Sequence, residues 1–107
     1  MPETKETHQS IYEDLKKSFV NEEGEKVWSE IQGIATDTLK DLAKAKFYSL
    51  MGTEADKILA RSASAMITDS LKQLTQASAD KTVNYALERL ESFVSKFVFR
   101  ELLKLLV

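Results

Sequence analysis

The sequence predicts an all-α fold, an elongated antiparallel helical bundle of one short N-terminal helix plus three long helices, on three observations. The chain of 107 residues holds only 3 Gly and 1 Pro, and that Pro is Pro2, so almost nothing in it breaks a helix. Apolar residues recur at three- and four-residue spacing rather than in alternation. Along the second segment, acids come first (Glu22, Glu23, Glu25) and bases last (Lys44, Lys46), the order a helix dipole favours.

Composition sets the bounds. A hydrophobic fraction of 43% with 30% charged residues is that of a folded chain, and 107 residues suffice for one core without disulfides or metals. Residues 1–9 read as a flexible N-terminal tail, and 10–107 as a single helical-bundle domain. The net charge of −2 offers no basic footprint, so no nucleic acid is expected as a partner. The absence of Cys removes disulfides and thiolate chemistry and fits a reducing compartment. No apolar run approaches the ~18 residues of a membrane span, and MPETKETHQS has no apolar stretch of the kind a signal peptide needs, so a cytoplasmic location is expected.

In chain order, Ser10 with Glu13 forms an S-x-x-E capping pattern, followed by Ile11, Leu15 and Phe19 on one face of a short amphipathic helix. The pattern lapses near Asn21, with Gly24 just beyond. A long helix is predicted from about Glu22 to Met51, its buried stripe running through Val27, Ile31, Ile34, Ala35, Leu39, Leu42, Phe47 and Leu50. Gly33 inside it marks either a close approach by a neighbouring helix or a mild bend. The clearest boundary is Met51-Gly52-Thr53: Gly52 suits a left-handed closing residue, and Thr53 suits an N-cap, with Asp56 three places on.

The third helix, from about Glu54 to Ala77, is expected to bury Leu59, Ala63, Met66, Ile67, Leu71 and Leu74. Its Ala60, Ser62, Ala63, Ser64 and Ala65 favour tight packing on at least one side. A turn at Gln76–Asp80, with Ser78 or Asp80 as cap, is preferred over one continuous rod, because single-domain helices seldom run beyond 25 residues without a coiled-coil repeat. The last helix turns Val83, Leu87, Leu90, Val94, Phe97 and Leu102 inward.

Chemistry is sparse. The one His, His8, is expected to be a solvated tail residue, which excludes a di-iron bundle and leaves no partner for a serine nucleophile. Gly24, Gly33 and Gly52 are scattered, not clustered as a phosphate loop requires. The pairs Glu22/Glu23 and Asp37/Asp41 lie on charged helix faces, where nothing would raise a carboxyl pKa. Two short basic ridges, Lys96/Arg100/Lys104 and Lys40/Lys44/Lys46, read as solvated faces. No enzyme activity, no metal and no cofactor is expected. Tyr12, Trp28, Tyr48 and Tyr85 are expected to pack in or beside the core, with Trp28 also a candidate contact residue because binding surfaces favour Trp.

One stretch exceeds what a small monomer needs. From Phe93 to Val107 the polar residues keep to one ridge, and the apolar surface spans well over half the circumference, against a stripe about 100° wide on an ordinary surface helix. Such a helix is central to its own bundle, or pairs with another chain, or lies on lipid. The reading adopted is a non-enzymatic protein–protein interaction module: a small regulator, inhibitor, adaptor or assembly subunit. It self-associates, by default as a dimer, through Phe93, Phe97, Phe99, Leu102, Leu103 and Leu106 with Trp28. The alternative is an amphipathic protein on a membrane or lipid-granule surface, which the acidic first half of the chain disfavours.

Overall fold

The structure is a computed structural model and describes residues 8–51 and 53–102. Five α-helices and a terminal π-helical turn account for nearly all of them, and no strand occurs among the described residues. The helices are α1 (His8–Glu23), α2 (Glu25–Glu30), α3 (Gln32–Met51), α4 (Glu54–Ala77) and α5 (Lys81–Phe97), followed by the π-helical turn Val98–Leu102. They pack antiparallel in a globule with a radius of gyration of 14.1 Å. A compact chain of this length has a radius of about 13 Å, so the bundle is close to globular.

α1 opens at His8, ahead of the expected Ser10 cap. Ser10 thus lies within the helix, and Glu13 accepts a hydrogen bond from Gln9 Nε2 at 2.7 Å, one turn back. His8 is half-buried, with its ring 4.3 Å from that of Phe47 in an edge-on contact, and is not the solvated residue expected. Ile11, Leu15 and Phe19 are all buried, as their spacing predicts.

The expected long helix over 22–51 is divided twice. Gly24 takes φ 96° and ψ 160°, a conformation essentially confined to glycine. Its N–H closes α1 on Val20 O at 2.8 Å, while its carbonyl accepts from Trp28 N at 3.2 Å to begin α2. Ile31, at φ −131° and ψ 26°, makes the second break. Its N–H bonds to Trp28 O, and its carbonyl accepts from Ala35 N to start α3. Gly33 is not a point of close approach, for a Cβ there would meet nothing within 4 Å.

Both later boundaries match their sequence signals. Thr53 Oγ1 accepts from Asp56 N at 3.1 Å and its hydroxyl donates to the Asp56 carboxylate at 2.6 Å. Asp80 Oδ1 accepts from Thr82 N at 2.9 Å and Val83 N at 3.0 Å, and Asn84 Nδ2 donates to Ser78 O at 3.1 Å to fasten the turn. Residues 54–102 are therefore two antiparallel helices, not one rod. Gly52 lies outside the described residues.

α3 is the central helix, packed on α1 along one side and α4 along the other. It buries Ala35, Leu39, Leu42, Ala43, Ala45 and Ser49. With small side chains at several of these positions, two neighbours can approach one helix closely. α5 packs on α4 and, through Phe93, on Phe19 of α1, with ring centroids 5.3 Å apart and nearly perpendicular. At the far end of that contact, Arg89 grips Glu23 with two hydrogen bonds, Nε to Oε1 at 2.7 Å and Nη2 to Oε2 at 3.1 Å. The paired carboxylate raises the Arg89 pKa above its ordinary value, chiefly through the hydrogen bond. This ties the last turn before Gly24 to α5.

Candidate functional site: the outer face of α4 and the end beside it

The seven residues proposed from sequence do not form one surface. Phe93 is buried against Phe19, and Phe97 is half-buried, with Lys46 Nζ 5.7 Å from its ring centroid. Trp28 is also buried, its ring beside Phe19 and beneath Lys16 Nζ at 5.2 Å. These three belong to the monomer's core and its edge. Phe99 is 70% exposed. Leu103, Leu106 and the side chain of Leu102 lie outside the described residues.

α5 is thus not central to the bundle up to Phe97; α3 is. The Val98 N–H still bonds to Val94 O, but the helix then widens into a π turn. Phe99 falls on the outside, where ordinary helical spacing also puts it: at about 100° per residue it lies roughly opposite Leu87, Leu90 and Val94.

An exposed apolar surface lies where the sequence placed core. α4 buries Ala60, Ser64, Ile67 and Leu71, a stripe at spacings of four, three and four. Leu59 and Met66, both expected inside, are instead 56% and 69% exposed, and Ile58 is 60% exposed. At about 100° per residue, Ala55, Ile58, Leu59, Ser62, Ala65 and Met66 all fall within about 60° of Ser62, opposite the buried stripe. All six are exposed and none is charged. The same face in the second half of α4 carries Asp69, Gln73 and Gln76. The outside of this helix is therefore apolar for its first three turns and polar afterwards.

Other exposed apolar side chains collect at the same end. Near the end of α3, just before α4 begins, Leu50 is exposed rather than buried as expected, and Tyr48 is partly exposed while its ring packs against those of His8 and Phe47. The π turn packs against both α3 and α4, which brings Phe99 to that end as well. Tyr85 and Leu74, at the opposite end, are also exposed, against expectation. Sequence reasoning missed the α4 face because large residues at 59, 66 and 74 outweighed small ones at 60 and 64. The signal available was the uninterrupted lack of charge on 55, 58, 59, 62, 65 and 66.

A second feature lies between α1 and α5. A cleft of ≈ 270 Å³ has a floor of Ile11, Leu15, Phe93 and Phe97, with Asp14, Ser18, Glu22, Lys46, Lys96 and Arg100 around it. Among the described residues, no group of His, Asp and Glu side chains is placed to hold a metal ion, and no helix is long and apolar enough to cross a membrane. Comparison with known protein families, with curated proteins and with solved structures finds no match.

Proposed function

We propose that this chain is a non-catalytic protein–protein interaction module that pairs with a second copy of itself, and that the first three turns of α4 form the centre of the contact. The observation that carries this reading is the exposed, uncharged face of Ala55, Ile58, Leu59, Ser62, Ala65 and Met66, with Leu50 and Phe99 also exposed at the same end of the bundle. Isolated exposed apolar residues are ordinary, but a contiguous apolar face rimmed by polar residues marks an interaction surface.

We infer a second copy as the occupant from the make-up of the face: Ile58, Leu59 and Met66 are large and Ala55, Ser62 and Ala65 between them are small, a mixture of knobs and holes of the kind a two-fold pairing uses. Phe99 retains the contact role given to it by sequence; Phe93, Phe97 and Trp28 support the monomer that presents the face. A regulator or assembly subunit built this way needs no cofactor, and its location in the cytoplasm rests on composition alone.

Light scattering over a range of concentrations tests the reading. The mass should rise from the 12.1 kDa of the chain toward twice that value. A constant monomer mass at high concentration would remove the self-association reading. Binding to vesicles without any rise in mass would favour the lipid-surface alternative instead.

A further inference from the structure

The cleft between α1 and α5 is lined by no residue of α4 and differs from that helix's outer face in chemistry. Its floor is four apolar side chains, two of them Phe rings, and its volume of ≈ 270 Å³ is just under the roughly 300–1,000 Å³ of typical small-molecule sites. The charges around it are segregated by the antiparallel run of the two helices. The Glu23–Arg89 pair and the Phe19–Phe93 contact fix the register, so Glu22 lies at the Gly24 end of the cleft. Lys96 and Arg100, from the last turn of α5 and the π turn, lie at the His8 end, where Lys46 of α3 also reaches the cleft and Asp14 is the one acid. Lys96 and Arg100 are exposed and make no ion pair among the described residues.

We propose that this cleft binds a small amphiphilic anion, a medium-chain carboxylate, with its acyl chain on Phe93, Phe97, Ile11 and Leu15 and its head at Lys96 and Arg100. The charge complementarity is specific to one end. A guanidinium pairs with a carboxylate through two parallel hydrogen bonds, and an ammonium adds a point charge beside it. The acidic end at Glu22 opposes the reverse orientation. The limited volume favours a chain of medium length over a long-chain lipid.

Calorimetric titration of the full chain with decanoate, held below its micellar concentration, tests the site, with decanol as the uncharged control. Decanoate should bind saturably with one site per chain, and decanol should bind about tenfold more weakly or worse. The Lys96→Gln/Arg100→Gln variant changes two exposed side chains, so it should fold as the parent does and lose about tenfold or more in decanoate affinity. Lys40→Gln/Lys44→Gln, on the other basic ridge, should bind as the parent does. No saturable binding, equal affinity for decanol, or an unchanged Lys96→Gln/Arg100→Gln variant would each overturn the proposal. Binding to phosphatidylglycerol vesicles with none to monomeric decanoate would also overturn it, assigning these cations to a membrane surface. Disrupting the α4 face should leave decanoate binding in place, so this site and the self-association surface can fail separately.

Discussion

α4 and α5 are neighbours of similar design that solve burial in opposite ways. Each starts at a side-chain cap, Thr53 or Asp80, and each has one fully buried stripe. α5 puts large residues inside, with Leu87, Leu90 and Val94 at most 1% exposed. α4 turns small Ala60 and Ser64 inward and leaves Ile58, Leu59 and Met66 outside. The difference lies in the neighbour. α3, against which α4 packs, already fills the interior with Leu39 and Leu42, both fully buried. A close helix pair of that kind admits small residues at the crossing and displaces larger ones. Apolar spacing therefore identifies helices reliably, but where a helix has two apolar faces, size decides which is buried.

The strongest way to break this contrast is to charge both helices. Leu90→Asp should cost upwards of about 4 kcal/mol and leave the chain largely unfolded in urea titrations, since a carboxylate would be stranded in the core. Ile58→Asp, on the outside of α4, should shift monomer stability by less than about 1 kcal/mol. Equal losses at the two positions would mean that the faces of α4 are assigned the wrong way round.

A test of intermediate size uses two alanines of α4. Ala60→Leu forces three extra carbons into the α3–α4 contact and should destabilise by about 1–3 kcal/mol. Ala65→Leu, on the exposed face, should stay within about 0.5 kcal/mol in the monomer. Smaller again is Thr53→Ala, which removes the acceptor for Asp56 N and should lower stability by about 1 kcal/mol in thermal or chemical denaturation. That loss measures how far α4 depends on its cap, which was visible in sequence, rather than on its packing, which was not.

What was legible follows the same division. The three residues Ile11, Leu15 and Phe19, the caps at Thr53 and Asp80, and the α5 stripe could be read because each rests on local spacing or on a single hydrogen-bonding side chain. The lapse of the apolar pattern near Asn21 signalled a boundary close to Gly24, but its exact place and the second break at Ile31 were hidden for a different reason. A lone Gly is a weak breaker in isolation, and here the Arg89–Glu23 pair ties the chain to α5 immediately before it, an interaction 66 residues apart in sequence. The central position of α3 likewise depends on two partners that periodicity cannot name. Of the apolar excess near the C-terminus, Phe99 is exposed while Phe93 is buried and Phe97 half-buried, and α4 carries an exposed apolar face of its own.

The most direct measurement is sedimentation equilibrium of the parent chain beside the Ile58→Glu/Met66→Glu variant, with Leu74→Glu as a control on the other half of α4. The parent and the control should approach twice the 12.1 kDa chain mass as concentration rises, while the double variant should stay at a single chain's mass with its helical signal and melting intact. If the double variant associates as strongly as the parent, the outer face of α4 is not where two copies meet.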